Sequence, residues 1–365
     1  ISRPRVRNTA TNAINFATMN KDVQQAPDFT EDRHLDPLVK EFLKGINAGK
    51  PVESLSKEAA RQVLSDAQSS VQVDLSGIVE SEQTITENGL SVPLTVVRPQ
   101  GSAGSPPCFV FIHGGGWILG DYPTHRRLVR DLVVASGFPA VFIRYTPSPE
   151  AKYPQALDEI YAAVRWIARN GARIGVDGSR MALAGNSVGG NMAIATALRA
   201  KREQGPQIKL LLPMWPVADS SFDTASYVRY AKQRFLTDSL MKWMFDQYTT
   251  DPQQRHEVYV SPLRATDDEL RGLPPTYIQV AENDILRDEG EALGRRLSEA
   301  GVDATTVRYN GVIHDWGMLN GLAALHQTRA LVLSSAAMMQ YYLGTDYIGA
   351  DRSCEEIDFI SEQIG

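Results

Sequence analysis

Two kinds of apolar spacing divide the chain. In LDPLVKEFLKGINAG, Leu38, Phe42 and Ile46 recur every four residues and mark one face of a helix. Asp36 suits its N-cap and Pro37 its first turn. A second helix is predicted for SLSKEAARQVLSDAQSS, with Ser56 as its cap. From about residue 76 the pattern becomes alternating, and GIVESEQTIT and LSVPLTVVRPQ read as two strands about a turn at Glu87-Asn88-Gly89.

After this hairpin, short apolar runs trade places with helical stretches. CFVFIH, AVFIRY, MALAGN, KLLLPMWP, TYIQVAEN and TTVRYN are predicted strands. Amphipathic segments such as YPQALDEIYAAVRWIARNG and EGEALGRRLSEAG separate several of them. Near-continuous Val, Ile and Leu in alternation with helices predicts an α/β fold with a mostly parallel sheet covered on both faces. The opening hairpin makes its first edge antiparallel. A long aromatic segment, 219–263, interrupts the alternation, and in it Leu240, Trp243, Met244 and Tyr248 fall near one helical face. That stripe fits either core packing or the lining of a roofed pocket. There is no internal repeat and no low-complexity linker.

Composition narrows the function. Hydrophobic content of 43% and charged content of 22% over 365 residues suit one large α/β domain with an added subdomain. A formal net charge of -6 and scattered Lys and Arg offer no stripe for nucleic acid. No apolar run has the roughly 18 residues of a membrane span. Cys108 and Cys354 fit no metal spacing, and Cys108 reads as a buried free thiol. The first residue is Ile1 rather than Met; a cytoplasmic location is favoured, with a secreted or periplasmic one kept open.

The sharpest local signal is Gly185-Asn186-Ser187-Val188-Gly189, a Gly-x-Ser-x-Gly string between a predicted strand and a predicted helix. A nucleophile on so tight a turn takes a strained backbone, and glycines two before and two after remove the crowding. Such a string arises by chance in roughly one chain in eight of this length at average composition, so its place at a strand–helix junction matters. His113-Gly114-Gly115-Gly116 follows another strand. Acyl transfer builds charge on a carbonyl oxygen, and backbone N–H groups can meet it only where no Cβ intervenes. The expected donors are Gly115, Gly116 and Val188. A phosphate loop would carry Gly-Lys-Ser/Thr, which is absent here.

Ser187 needs a base, and the base an orienting acid. Of six histidines, His314 lies in a loop just after the last predicted strand, where a base can reach Ser187. His34, His125 and His326 fall in helical patterns, His113 belongs to the glycine loop, and His256 sits in a polar stretch. Glu282, Asp284 and Asp288 follow one strand and precede His314 in the chain. Asp288 is expected to cap the next helix, which leaves Asp284 as the choice.

With HGGGW (113–117), GNSVGG (185–190), ENDILRDEG (282–290) and GVIHDWGML (311–319) in hand, the chain resembles the α/β-hydrolase superfamily. More narrowly it is similar to the hormone-sensitive-lipase-like esterases, bacterial family IV, over roughly residues 33–342. The resemblance implies an eight-stranded sheet, a helical cap, small acyl esters as substrates, no metal or other cofactor, and a homodimer along the last strand. The expected organisation is an arm (1–32), the first part of the cap (33–75), a catalytic core (76–219 and 256–345) interrupted by a cap insertion (220–255), and a tail (346–365). The chain departs from the family in carrying Asn186 where Asp is usual before the nucleophile, and Asp315 where Gly is common after the histidine. It also has YTPSPE (145–150) for Tyr-Arg-Leu-Ala-Pro-Glu.

The reading is therefore a serine esterase for short- to medium-chain acyl esters. Amide or N- or O-acetyl hydrolysis by the same groups is the runner-up. A non-catalytic receptor, which would have lost the serine or histidine, is the reading from a different class.

Overall fold

A computed structural model describes residues 23–344. Its centre is one eight-stranded sheet in the order β1-β2-β4-β3-β5-β6-β7-β8. The strands are Ile78–Glu87, Leu90–Pro99, Pro107–Ile112, Ala140–Ile143, Asp177–Asn186, Leu210–Met214, Thr276–Asn283 and Ala304–Ile313, β1 to β8 in chain order. β1 pairs with β2, and β2 with β4, in antiparallel fashion. Every other pairing is parallel. The α/β expectation, the antiparallel first edge and the eight strands are therefore as read from the sequence.

The helices are α1 (Pro37–Asn47), α2 (Lys57–Ser69), α3 (Tyr122–Ser136), α4 (Gln155–Asn170), α5 (Val188–Arg202), α6 (Ala225–Arg229), α7 (Asp238–Tyr248), α8 (Asp267–Leu270), α9 (Arg287–Glu299) and α10 (His326–Leu343). Asp36 caps α1 by accepting from Leu38 N, and Ser56 caps α2 by accepting from Ala59 N. All six residues of β3 and all four of β4 are buried, as strands covered on both faces must be. Cys108, on β3, is a buried free thiol whose pKa burial pushes up to about 12.

The order of strands fixes where a ligand can sit. The chain runs from β3 through α3 to β4 on one side, then returns through α4 to β5 on the other side of β3. Beyond the carboxyl ends of β3 and β5 the connections diverge and leave a crevice, the usual ligand site of open parallel sheets. The glycine loop leaves β3 there, and Ser187 follows β5.

Two expectations need correction. The arm reading fails for residues 26–32. Ala26 N donates to Arg229 O, and Asp32 forms a 2.8 Å ion pair with Arg234, both side chains almost fully buried. The two partners stand 202 positions apart, and periodicity does not report such a pairing. Residues 1–22 and the 346–365 tail, with Cys354, lie outside the described residues. Asp288 does not cap α9, whose N-cap is Leu286 with no side-chain bond. Its Oδ2 instead accepts from Ser226 N at 2.8 Å, because α6 packs against this end of α9.

Candidate active site

Ser187 sits at the junction of β5 and α5 with φ 56° and ψ -121°, a backbone that L residues seldom adopt. Its N–H donates to Met214 O on β6, which holds the turn. The flanking glycines follow from contact. A Cβ at Gly189 would run into the Ile112 carbonyl, and one at Gly185 into the Gly189 backbone. No larger residue lets α5 come this close to β3.

The glycine loop is held as tightly. Gly115, Gly116 and Trp117 all have positive φ, at 102°, 62° and 63°. A Cβ on Gly116 would overlap the thioether of Met244, which lies directly on this loop. Trp117 is buried, stacked on Tyr248 at 4.1 Å, with Phe245 edge-on at 5.0 Å. The aromatic stripe of α7 thus serves in both of the ways left open. Tyr248 and Phe245 pack under the loop, while Leu240 and Met244 line the cavity beside it.

The structure brings three of the sequence-selected side chains into one hydrogen-bonded row. His314 Nε2 lies 2.9 Å from Ser187 Oγ, and His314 Nδ1 lies 2.7 Å from Asp284 Oδ2. All three are nearly closed to solvent, at 4%, 2% and 1% exposure for Ser187, His314 and Asp284. The second oxygen of Asp284 accepts from Leu286 N at 3.0 Å, which fixes the carboxylate toward the imidazole. Glu282 is spent elsewhere, accepting from Gly311 N, and Asp288 binds Ser226. Burial opposes a charge on His314, but the charge of Asp284, that of Asp315 and the Asp284 hydrogen bond outweigh it and raise its pKa.

The other described histidines have other surroundings. His113 packs between Tyr145 (4.2 Å) and Phe142 (5.5 Å), and its Nδ1 is 2.8 Å from Gly114 O. Burial pushes its pKa down to about 4, and does the same for neighbouring His125. Both are therefore neutral rings supporting the loop from below. His34 lies in a turn before α1, 3.6 Å from Glu282, while His256 and His326 are exposed.

One network was not foreseen. Asn186 is fully buried; its Oδ1 accepts from Gly114 N at 2.9 Å, and its Nδ2 donates to Asp315 Oδ1 at 2.9 Å. The same oxygen of Asp315 accepts from Trp215 Nε1 at 2.7 Å. Asp315 Oδ2 is 3.9 Å from His314 Nε2, the nitrogen that faces Ser187, so it does not compete with Asp284 for Nδ1. Asp315 has φ 61°, a conformation natural to the glycine common at this place. Both departures from the family pattern were visible in sequence; that they touch one another was not.

Gly115, Gly116, Ser187, His314 and Asp315 open onto a cavity of about 70 Å³. Its remaining wall is apolar and comes from α1, α2 and α7 with the segments beside them, for example Val63, Leu64 and Phe235. Among the described residues no cluster of side chains suits a metal ion, and no helix is long and apolar enough to cross a membrane.

Residues 109–318, more than half of the chain, match the family model described as alpha/beta hydrolase fold. The chain belongs to that family. Its place is in the hormone-sensitive-lipase-like branch, among esterases. A crystal structure of a thermostable esterase from Pseudomonas putida ECU1011 superposes with a TM-score of 0.83 at 52% identity, over 86% of this chain and 98% of that one. Ethyl acetate hydrolase of Pseudomonas putida is 28% identical over 84% of this chain and 99% of its own length. Carboxylesterase NlhH of Mycobacterium tuberculosis is 31% identical over 64% of this chain and 74% of its own.

Proposed function

We propose that this α/β hydrolase cleaves small carboxylic esters through an acyl-enzyme on Ser187. The observation that carries the reading is the row Ser187 Oγ–His314–Asp284, at 2.9 and 2.7 Å. Ser187 Oγ attacks the ester carbonyl while His314 Nε2 takes its proton, and Asp284 steadies the imidazolium through Nδ1. The N–H groups of Gly115, Gly116 and Val188 receive the oxyanion. His314 then returns the proton to the departing alcohol, leaving Ser187 acylated. A water, deprotonated by the same nitrogen, releases the acid and restores the serine.

Residues 33–75 and 220–255 act as the cap over this site, since α1, α2 and α7 close the cavity. At about 70 Å³ and with a mostly apolar lining, the cavity is narrow and suits short acyl groups. Acetyl and propionyl groups enter with little rearrangement, and medium chains need the flexible Met244 to turn aside. The edge strand β8 pairs only with β7 among the described strands, which leaves its other side for a second copy of the chain. The esterase relatives favour esters over amides, and the intact hydrogen-bonded row speaks against a receptor that binds without turnover.

The test is a p-nitrophenyl ester series from acetate through octanoate to palmitate, with wild type beside Ser187→Ala. A short-chain optimum and a loss on the order of 10⁴-fold or more in the variant are expected. Equal rates in both proteins would refute the assignment of Ser187.

A further inference from the structure

We propose that Arg61 is a positioning residue for the oxyanion loop, the element through which the cap holds the catalytic geometry in place. The proposal rests on the esterase reading above and adds a role for the cap within it.

Arg61 lies on α2 and reaches two loop segments at once, one at 118 and one at 148–150. Its Nε donates to Ile118 O at 2.8 Å and its Nη2 to Ser148 O at 3.1 Å. Its Nη1 and Nη2 grip the two oxygens of Glu150 at 2.9 and 2.8 Å. Ser148 N in turn donates to Trp117 O at 2.7 Å. Ile118 and Leu119 both donate back to Gly115 O, at 3.1 and 2.8 Å. The guanidinium is thus one bond from the carbonyl that ends the turn 115–118. Through Ser148 it is two bonds from the carbonyl of Trp117.

That turn has reason to need a hold. Gly115, Gly116 and Trp117 are three successive residues in the left-handed region, and Trp117 has a Cβ to accommodate there. Strain of this kind persists only where surrounding structure over-determines it. A planar fork of five N–H donors can tie two carbonyls and a carboxylate in fixed mutual geometry, whereas an ammonium cannot. Arg61 also neighbours Ala60, which with Val63 and Leu64 forms the α2 wall of the cavity. Any shift of α2 is therefore passed to the oxyanion loop through one side chain.

A plain ion pair is the competing account. The Arg61 and Glu150 side chains are 30% and 38% exposed, and pairs so placed add little to stability. The two accounts separate by kinetics. Arg61→Met, Arg61→Lys and Glu150→Gln are compared with wild type on p-nitrophenyl acetate and butyrate, with Tm and with inhibition by a trifluoromethyl ketone. That inhibitor forms a tetrahedral adduct on the serine, while the product carboxylate serves as a ground-state ligand. In Arg61→Met kcat should fall about tenfold to hundredfold, short of the 10² to 10³ that loss of a whole oxyanion donor costs. KM and carboxylate binding should stay within about threefold, and the ketone should weaken in step with kcat. Arg61→Lys should lose at least about half of that effect's logarithm, since it keeps the charge and loses the fork. Glu150→Gln keeps an acceptor for the fork and loses only the charge, so it should lower kcat less than Arg61→Met does. Unchanged kcat in both Arg61 variants would overturn the proposal in favour of the ion pair. A rise in KM alone would overturn it in favour of a cavity wall. If Arg61→Met does not fold, Arg61→Lys decides by the same split. None of these outcomes depends on the Ser187→Ala result, so failure here is distinct from failure of the esterase reading.

Discussion

Asn186→Asp changes one atom group in a side chain that accepts from Gly114 N and donates to Asp315 Oδ1, each at 2.9 Å. The backbone N–H still finds an oxygen, but the donor toward Asp315 becomes a second acidic oxygen about 3 Å from the first, where residue 186 is wholly buried. Two unit charges about 4 Å apart repel by about 4 kcal/mol at an effective dielectric near 20. At about 1.36 kcal/mol per pKa unit, that is about three units. The introduced carboxyl, ordinarily near 3.9, should thus keep its proton to about pH 7. While protonated it donates to Asp315 as the amide does. Over this range the folded variant binds a proton that the unfolded chain has released, so stability falls as pH rises from about 4 to about 7 and then levels off. Differential scanning calorimetry of wild type and variant from pH 5 to 9 should show a Tm deficit that widens with pH. The kcat for p-nitrophenyl acetate should follow it, because Gly114 leads into the oxyanion loop. The double variant Asn186→Asp, Asp315→Gly removes the repulsion and places glycine where φ is 61°. It should recover most of the deficit at pH 9. A Tm deficit independent of pH, or a double variant no better than the single, would show that the pairing of residues 186 and 315 carries none of this energy.

Three further outcomes follow from the same geometry. Asp315→Asn removes one of the two charges that raise His314 against its burial; since the base must be neutral, the acid limb of the kcat/KM profile should move to lower pH, and a limb that stays in place refutes the argument. Met244→Ala should open the wall over Gly116 and shift the chain-length optimum to longer acyl groups, with little loss on acetate; the p-nitrophenyl series reads this directly. His113 and His125 titrate near 4 in the folded chain, while the unfolded chain takes up both protons near 6.5, so stability should fall as pH drops through that window. The loss is at most about 3 to 4 kcal/mol per ring, and Tm between pH 7 and 4 measures it.

What the sequence disclosed, and what it withheld, divides by whether a contact restricts residue type. β3, β4 and the Met181–Ala184 stretch of β5 are apolar runs because both of their faces are covered, so their composition reports their place in the sheet. The glycines at 185, 189 and 115–116 stand where other atoms come too close for a Cβ, and such crowding marks residue type even where the partner is distant in the chain, as Ile112 is from Gly189 and Met244 from Gly116. Asn186 and Asp315 stand 129 positions apart and their pairing has no local mark: each looks like a departure from a pattern, and only packing of β5 beside the loop after β8 joins them. Arg61 is hidden for the same reason, as its partners at 118, 148 and 150 lie across two turns of the core. Asp288 was misread because capping was inferred from order along the chain, whereas its carboxylate turns sideways to α6.

The division has a functional counterpart. The nucleophile and the oxyanion loop both have strained backbones, and both emerge from buried parallel strand ends, β3 along its whole length and β5 over its last six residues. The cavity wall facing them comes instead from α1, α2 and α7, and contacts such as Arg61 with Ile118, Lys152 with Gln247 and Tyr153 with Tyr248 join α2 and α7 to the sheet domain. A substitution in the wall alters which ester fits while leaving the strain in place. A substitution at Asn186 or Arg61 relaxes the loop itself and must therefore act on every ester alike. Rates measured across an acyl series distinguish the two: a wall residue changes the slope with chain length, and a residue that holds the loop lowers the whole line.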